Sequence, residues 1–480
     1  MKNFNSHNFL FAFRYSLFAI FYFLFCTSLQ AQTSGAANSS AAGRYGAATT
    51  FMQDYQTVGI NPANLGLWNR ETRLITFGTG ETSITLHTEA LSRFDIFNKV
   101  LKSYTLPDSE ITQVIKDFTY SPTSISIDEL ALGLSVQLPK FGGIAFTWHE
   151  HASGSYEFNS FLSNLIYKGI NYKPYFDTII TDNMNNHVGI ADSAQMMSTL
   201  FKGSNINYTW YREYNLSYGR RMFKVGPVNL YGGLGFKYLL GFGIMDINSD
   251  GSSISGFSAN SPIIGINYDS LNISTAVAGQ GLVPVGKGTA FDFGVTATIM
   301  DIVKFGVAVT DVGGINWTGN ILTITDRKVD SLKNFTGVTT LSPLDIVSNF
   351  NGTDGLISWS GGNAKSIALA SKLRFGGSVA VGKVLEFGFD FVQPLNDKPG
   401  SLANSMVAFG LNVQPVPAFT FSTGIVTGGN TDYDVPFGIS LSAGPKQAYQ
   451  FGISTGDVLL FVQGNKPTFS MTLGFARFQF

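Results

Sequence analysis

Apolar and polar residues alternate along much of the chain from residue 71 onward. In 291–299 the side chains of Phe291, Phe293 and Val295 share one face, and Asp292 lies on the other. The stretch 419–424 shows the same period of two. This period is typical of β-strands with one buried face. A soluble β-sandwich would alternate in the same way, so the pattern alone predicts strands and leaves their surroundings open.

Fourteen strands account for the pattern. We predict them at 71–88, 129–138, 142–151, 205–220, 226–247, 286–300, 302–313, 364–382, 383–393, 402–413, 417–427, 434–443, 447–463 and 467–480. Short connections alternate with long stretches at 89–128, 152–204, 248–285 and 314–363. Outer-membrane barrels have short periplasmic turns and longer outer loops, and an even strand number returns both termini to the periplasm. We therefore predict an all-β fold, a 14-stranded antiparallel transmembrane β-barrel.

Two predicted strands contain glycines that would interrupt a regular strand. They lie in Gly78-Thr79-Gly80 and in Ser454-Thr455-Gly456. Glycines inside strands mark bulges or kinks, so we treat 71–88 and 447–463 as one strand each. A turn at either position would change the strand number.

Composition favours a barrel in a membrane. Asp, Glu, Lys and Arg make up 13% of the chain, roughly half of their usual share. The 53 glycines and 42 phenylalanines suit strands that alternate between a lipid-facing side and an inner side.

The N-terminus predicts a secreted precursor. Residues 1–31 combine Lys2, an apolar run at 15–26 and a small residue at Ala31, so we predict a signal peptide cleaved after Ala31. The run is shorter than the ~20 residues that a spanning helix needs. We predict an N-terminal plug, or hatch, at 32–70 and the barrel at 71–480; for 32–45 a disordered leader is an equal alternative.

Cleavage also changes the cysteine content and the charge. The only cysteine, Cys26, lies in the predicted signal peptide, so the mature protein is expected to lack disulfides and cysteine-based metal sites. Cleavage removes two basic residues, Lys2 and Arg14, and no acidic one, so the net charge falls from −1 to −3. We therefore expect no nucleic-acid partner, because phosphate backbones need cationic surfaces.

The connection at 89–128 has helical spacing. Two stripes of apolar residues are Phe94, Phe97, Val100 and Leu101, and Ile111, Val114, Ile115 and Phe118. We predict two short helices in an extracellular loop that pack on the barrel mouth. A sharper hypothesis is a hydrophobic landing site for a ligand, formed by Phe94, Phe97, Ile111, Val114, Ile115 and Phe118.

Candidate chemistry is sparse. His149 and His151 share one strand face, but no third metal ligand is apparent. Asp246, Asn248 and Asp250 match the first half of a calcium loop, but Phe257 replaces the glutamate expected at its end. We therefore expect no metal site, with these three residues as a weak candidate. The letters G-x-S-x-G at 452–456 lack a strand–turn–helix context, so we expect neither an enzyme nor a cofactor.

Two short features carry a family resemblance. The chain ends on Phe478-Gln479-Phe480, which resembles the C-terminal signal by which outer-membrane barrels are recognised for assembly. Asn61-Pro62-Ala63 matches the hatch motif of the FadL-type outer-membrane family, which transports fatty acids and other hydrophobic compounds through a plugged 14-stranded barrel. The stretches 131–135 and 306–317 are similar to an uncharacterised FadL-like branch from Bacteroidota, and the secretion protein PorV is similar in architecture. The loops depart from the fatty-acid transporters, so no ligand residues carry over.

The resemblance implies passive uptake of hydrophobic small molecules across the outer membrane of a Gram-negative bacterium. An apolar molecule would land on the loops, enter a desolvated pocket, and pass when the hatch around Asn61-Pro62-Ala63 shifts. A kink at Gly78 or Gly80 could also open the wall sideways. The expected partners are membrane lipid, an apolar ligand and the barrel assembly machinery. The alternative is a surface or secretion scaffold that binds a protein partner through 152–204 and 314–363.

Overall fold

The computed structural model describes residues 43–480, apart from 45, 68–73, 101, 103, 184, 265, 267, 269–272, 280, 342–356, 358, 430, 445–447 and 464–467. The predicted signal peptide at 1–31 therefore lies outside the described residues, as do residues 32–42, 45 and 68–70 of the predicted plug.

Fourteen strands form one closed antiparallel wall. They are β1 (Ile75–Thr88), β2 (Thr123–Leu138), β3 (Gly142–Glu157), β4 (Asn205–Val225), β5 (Val228–Ser249), β6 (Gly286–Ile299), β7 (Val303–Trp317), β8 (Lys372–Val381), β9 (Leu385–Pro394), β10 (Met406–Val416), β11 (Phe419–Gly428), β12 (Phe437–Ala443), β13 (Tyr449–Thr455) and β14 (Thr468–Gln479). Each strand pairs with the next. β14 pairs with β1, which closes the barrel. The predicted fold class is confirmed.

Side chains that point away from the barrel axis are apolar along the middle of the strands. On β6, Phe293 is 46% exposed, whereas its neighbour Asp292 points inward and is fully buried. Every strand has an exposed apolar residue of this kind: Ile75, Leu134, Ile144, Leu216, Leu234, Phe293, Val307, Phe375, Phe387, Phe409, Ile425, Leu441, Ile453 and Met471. Lipid covers such a belt in transmembrane barrels, and we call it the lipid-facing band. The wall is therefore that of an outer-membrane-type β-barrel.

The two ends of the barrel differ in their connections. At one end the strands are joined by short turns, such as 139–141, 226–227 and 417–418. The N-terminus of β1 and the C-terminus of β14 lie at this same end, as an even strand number requires. Short turns are periplasmic in outer-membrane barrels, so this is the periplasmic end and the long connections are extracellular.

The extracellular connections contain small helices and strands. The two longer helices are α1 (Asp108–Phe118) and α2 (Ser160–Lys168). Shorter helical segments are Arg93–Asp95, Ile96–Val100, Gly169–Asn171, Met197–Leu200, Pro262–Ile264 and Leu459–Gln463. Short strands are Thr178–Thr181, His187–Ile190, Ile254–Asn260, Ile321–Ile324, Ser331–Lys333, Trp359–Gly361, Lys365–Ala368 and Thr431–Asp434. None of the helices in the described part of the chain has the length and apolarity needed to cross a membrane.

These connections fold into a layer against the outer side of the wall. Phe118 of α1 and Leu162 of α2 share a core with Leu86, Ile125 and Ile206, whose side chains point away from the barrel axis. Protein therefore covers the extracellular ends of β1, β2 and β4 on their outer side, where lipid covers the strands nearer the periplasm.

Two predicted strands are wrong in part. The predicted strand 447–463 ends at Thr455 and gives way to the helix Leu459–Gln463. The cause is Asp457, whose Oδ1 accepts hydrogen bonds from the amides of Leu459 (3.0 Å) and Val435 (3.1 Å) and so starts the helix. The predicted strand 364–382 is interrupted at 369–371, because the neighbouring strand β7 bulges between Val309 and Val312.

The predicted irregularity at Gly78-Thr79-Gly80 is present in β1. Gly78 pairs with Gly133 and Glu81 pairs with Leu130, and neither Thr79 nor Gly80 has a register partner in β2. Gly80 has a φ of +70°, a conformation that glycine adopts without strain. Pairing on both sides of this bulge keeps the wall closed.

Candidate functional site

The plug, here residues 43–67, lies inside the periplasmic half of the lumen. It contains two single-turn 3₁₀ helices, Asp54–Thr57 and Pro62–Gly66. Pro62 begins the second helix, where a missing backbone N–H costs nothing. The side-chain oxygen of Asn61 caps this helix by accepting a hydrogen bond from the Ala63 amide (3.2 Å). The Asn61-Pro62-Ala63 motif is therefore a helix start.

Buried amides tie this helix to the wall. Asn61 Nδ2 donates to Thr296 Oγ1 of β6 (2.9 Å), and Thr296 Oγ1 donates to Asn64 Oδ1 (2.7 Å). Asn64 Nδ2 in turn donates to the carbonyl oxygens of Thr49 (2.9 Å) and Met52 (3.1 Å). Asn61, Asn64 and Thr296 are fully buried, so breaking this network would leave polar groups without partners. The motif thus anchors the plug to β6.

Ten strands turn a glycine towards the plug, and we call these residues the glycine belt. Its members are Gly78, Gly133, Gly143, Gly219, Gly233, Gly294, Gly306, Gly376, Gly410 and Gly438. A Cβ added to Gly233 would lie 2.2 Å from the carbonyl carbon of Pro62, and one added to Gly143 would lie 2.4 Å from the Leu65 carbonyl oxygen. No side chain fits such gaps, so the plug backbone packs directly on the barrel wall.

A carboxylate on β9 fixes the first part of the plug. Asp390 Oδ2 accepts hydrogen bonds from the amides of Ala48 (3.1 Å) and Thr49 (2.9 Å) and from Thr49 Oγ1 (2.5 Å). Asp390 is fully buried, and the Arg374 guanidinium of β8 lies nearby. The carboxylate therefore satisfies three donors that water cannot reach.

Two further contacts hold the plug on the opposite side, where the barrel closes. The Tyr55 hydroxyl donates to Glu81 of β1, and Asp54 pairs with Arg477 of β14. Burial raises the pKa of the Asp54 carboxyl above its usual value, although the Arg477 guanidinium opposes this effect. The plug is thus fastened to β1, β6, β9 and β14, which lie on different sides of the lumen.

Ionisable side chains form a buried group just above the plug, which we call the charge belt. It consists of Asp128, His151, Glu213, Lys237, Asp292 and Asp311. Lys237 Nζ lies 2.5 Å from Asp311 Oδ1, 3.2 Å from Glu213 Oε2 and 3.4 Å from Asp292 Oδ1. His151 Nδ1 lies 2.5 Å from Asp128 Oδ1. Mutual pairing offsets the cost of removing such charges from water.

The charge belt was not predicted from the sequence. Its signal is a single charged residue at an inward position of an otherwise apolar strand, as with Lys237 and with Asp292 between two phenylalanines. A strand position shows which face a residue occupies, but pairing across the six strands of the charge belt depends on the barrel register.

Above the plug the lumen opens into a polar cavity of about 880 Å³, which we call the vestibule. Inward-facing residues of β1 to β5 line one side, including His87, Ser124, Ser153, Asn207 and Asp246. The connection between β9 and β10, residues 394–404, folds inward and lines the other side.

An apolar pocket lies beside the vestibule, within the lumen. Trp317, 1% exposed, packs there with Tyr211, Ile244 and Ile315. A Cβ added to Gly241 would lie 2.6 Å from the indole, so the wall is shaped around this ring. Ile367 and Leu369 fill most of the remaining space and leave a cavity of about 20 Å³.

The apolar pocket adjoins the vestibule through one residue. Pro399 lines both cavities. The connection that carries it is held in place at its start, because Asn396 Nδ2 donates to the Leu369 carbonyl oxygen (2.7 Å). Residues 394–404 therefore separate the polar cavity from the apolar one.

A third cavity, of about 310 Å³, lies on the periplasmic side of the plug. Arg44, Phe51 and Gln53 of the plug line it together with Lys383 and Gln414 near the periplasmic turns. No described residue lines both this cavity and the vestibule. The plug and the charge belt thus separate the two.

The residues predicted as a landing site do not form one surface. Val114, Ile115 and Phe118 of α1 are buried in the extracellular core, and Ile111 packs against it. Phe97 packs against Phe461 and Phe469, with ring centroids 6.3 and 5.6 Å apart. Phe94 alone of the six is largely exposed, at 64%.

The other predicted residues have local roles. Asp246 accepts a hydrogen bond from Asn248 Nδ2 (2.8 Å), and Asp250 accepts from the amides of Ser252 (2.8 Å) and Ser253 (2.7 Å). These three residues do not converge on a common point. His149 and His151 stack with ring centroids 5.4 Å apart. Within the described ranges, no group of three or more metal-ligating side chains is placed to hold a metal ion.

The terminal aromatic residues point towards lipid. Phe478 packs against Phe77 and Tyr449, with ring centroids 6.4 and 5.3 Å apart, and Phe480 is 65% exposed. The assembly signal formed by Phe478 and Phe480 stays a prediction.

Comparison with known proteins gives a family. The model of a family of unknown function, DUF5723, matches residues 76–451. The chain belongs to this family. No curated protein matches this chain at a significant level.

Solved structures are similar to this DUF5723 protein at low sequence identity. The P. putida toluene transporter TodX is 9% identical, with 93% of this chain and 99% of that chain covered and a TM-score of 0.42. A Pseudomonas aeruginosa FadL homologue is 9% identical, with coverage of 94% and 97% and a TM-score of 0.40. The translocator domain of the autotransporter NalP from Neisseria meningitidis is 8% identical, with coverage of 85% and 89% and a TM-score of 0.31. A FadL homologue is thus among the similar proteins, as the sequence resemblance predicts; the Bacteroidota branch stays a prediction.

Proposed function

We propose that this protein is a passive outer-membrane uptake channel for small apolar molecules, and that the apolar pocket around Trp317 is its binding site. The observation that carries the proposal is an apolar pocket inside the lumen that adjoins the polar vestibule. Apolar walls with a few polar groups nearby are typical of small-molecule sites. A lumen that served only as a support would need no such pocket.

The route begins in the vestibule. A molecule that enters there reaches the pocket by displacing residues 394–404 near Pro399, because this connection separates the two cavities. Ile367 and Leu369 occupy the pocket in its closed form. They would have to withdraw when a ligand takes their place.

Passage towards the periplasm requires the plug to rearrange. The hydrogen bonds of Asn61, Asn64 and Asp390 make this step costly, so we expect slow transfer. The bulge at Gly78-Thr79-Gly80 lies beside Tyr55 of the plug, and a sideways exit into the membrane there would require the strand pairing around the bulge to open.

The test compares Trp317→Ala with Trp148→Ala. Trp317 fills the pocket, whereas Trp148 points away from the axis and stacks under Arg212 (5.0 Å to the ring centroid). Loss of a buried indole costs about 3–5 kcal/mol of stability and leaves a cavity. We expect Trp317→Ala to bind N-phenyl-1-naphthylamine more tightly than the wild type by about tenfold, as purified protein in detergent.

Uptake is measured in cells with an intact outer membrane, by the fluorescence of the same probe. Wild-type protein should speed the fluorescence rise above that of cells with an empty vector, Trp317→Ala should speed it further, and Trp148→Ala should match the wild type. Two results together would contradict the proposal: equal probe binding by purified wild type and Trp317→Ala, and equal uptake by cells with wild type, Trp317→Ala or the empty vector.

A second candidate is a scaffold that holds a protein partner. It is favoured by the extracellular layer, whose own core packs against the outside of the wall, and by the polar vestibule. Chemical cross-linking in the producing cell, followed by solvent extraction of the purified protein, separates the candidates. A cross-linked partner with no retained apolar molecule supports the scaffold, and a retained apolar molecule supports uptake.

A further inference from the structure

Four phenylalanines lie at the outer side of the barrel where β1 meets β14; three of them are in contact through Phe97, and Phe94 precedes Phe97 by three residues in the same short segment. They are Phe94, Phe97, Phe461 and Phe469, and we call them the aromatic foot. Phe97 contacts both Phe461 and Phe469. Arg93 Nη1 donates to the Phe461 carbonyl oxygen (2.6 Å), which joins the two short helical segments that carry the foot. The foot is therefore one structural unit, although its residues are far apart in sequence.

The segment 93–100 has two apolar sides. Ile96 and Val100 face the extracellular core and are buried. Phe94 and Phe97, three residues apart, are not part of this buried core. Phe94 is 64% exposed and Phe461 is 50% exposed, which is costly for large apolar rings in contact with water.

The foot continues the lipid-facing band. Phe469 and Met471 are alternate residues of β14, so both point away from the barrel axis. Met471 is 40% exposed within the band, and Phe469 is the next outward position towards the extracellular end. An unbroken apolar stripe therefore runs from Met471 through Phe469 and Phe97 to Phe94 and Phe461.

We infer that the aromatic foot lies in the outer leaflet of the membrane, with Phe94 and Phe461 inserted among lipid acyl chains. Aromatic residues occur at membrane–water interfaces of barrels. The foot supports the extracellular layer at the seam where the first and last strands meet, and it fixes how deeply that side of the barrel sits. This role differs from ligand capture and does not depend on the proposed uptake.

The test uses single cysteines in a background without Cys26. Nitroxide labels are placed at Phe94→Cys and Phe461→Cys, and the protein is reconstituted in phosphatidylcholine–phosphatidylglycerol vesicles. Collision of the label with oxygen, which concentrates among acyl chains, is compared with collision with a water-soluble nickel chelate. Two reference sites are Phe409→Cys in the lipid-facing band (59% exposed) and Tyr120→Cys in the extracellular layer (60% exposed).

Labels at both foot positions should resemble the Phe409 label. The ratio of oxygen collisions to nickel-chelate collisions should be several-fold higher at these positions than at the Tyr120 label. Labels that resemble the Tyr120 label would overturn the inference, because the foot would then lie in water. Low collision with both reagents would also overturn it, since a protein contact and not lipid would then cover the foot. A heat-dependent shift in gel mobility confirms that each labelled variant is folded.

Discussion

The two halves of the lumen are filled in different ways. In the periplasmic half the plug backbone touches the wall through the glycine belt, and buried hydrogen bonds to Thr296 and Asp390 hold it. In the extracellular half side chains fill the space incompletely and leave the vestibule and the apolar pocket. The comparison teaches that one barrel can combine a close-packed stopper with a chamber that has room for a solute.

The difference follows from the hydrogen-bonding groups that each half of the lumen contains. Plug residues carry backbone N–H and C=O groups into a space that water cannot enter, so each needs a partner. The residues of β1 to β5 that line the vestibule are mostly polar, and water in the vestibule can solvate them. A change to the glycine belt or to Asp390 should therefore cost far more than a change to a residue that water can solvate at the extracellular end.

The largest effect is expected for Gly233→Ala. The added methyl group would meet the Pro62 carbonyl carbon at 2.2 Å, and overpacking of this kind costs about 1–3 kcal/mol or more. We expect a lower midpoint of heat-dependent unfolding on gels and faster proteolysis of the plug. Gly232→Ala is the matched control, because its Cβ would meet the flexible Met222 side chain at 3.3 Å. Equal midpoints for the two variants would mean that the plug shifts to accommodate the added methyl group without loss of stability.

A more local effect, confined to the first part of the plug, is expected for Asp390→Ala. This change leaves the amides of Ala48 and Thr49 and the Thr49 hydroxyl without their acceptor, and a buried unsatisfied donor costs about 1–3 kcal/mol. We expect faster hydrogen–deuterium exchange in the peptide that contains Ala48 and Thr49. Asp390→Asn retains an acceptor oxygen and should recover much of the protection. Unchanged exchange in Asp390→Ala would show that other contacts hold this part of the plug.

The smallest effect is expected for Asp250→Asn, in the extracellular turn after β5. Hydrogen bonds from Ser253 and Ser252 lower the pKa of the Asp250 carboxyl to about 2. Because this pKa lies below the usual value of 3.8, the ionised form stabilises the turn above about pH 4, and that contribution is lost as the pH falls through about 2. We expect faster amide exchange at Ser252 and Ser253 in the variant at pH 7, with no change in the unfolding midpoint. A shift of that midpoint would mean that the extracellular half is as tightly coupled to the barrel as the plug is.

The loop helices show how far a periodic pattern can predict a site. Apolar spacing predicted α1, and Val114, Ile115 and Phe118 do lie on one side of it. The pattern could not show what that side contacts, because an apolar stripe packs equally well on a protein core or on a ligand. The structure buries these residues beneath α2 and the extracellular ends of the strands, and leaves Phe94 exposed.

The sequence by itself determined the strand number, the direction of the chain and the side of the membrane on which the termini lie. Period-two alternation and the contrast between short and long connections are local properties of the sequence. Both can be recognised without knowing which residues lie next to each other in the folded protein. Only the tertiary structure decided that Asn61 anchors the plug, that glycines on ten strands meet it, and that Lys237 lies among three carboxylates. Each of these depends on the register between strands that are distant in sequence, because the shear of a closed barrel sets which residues share one level of the lumen.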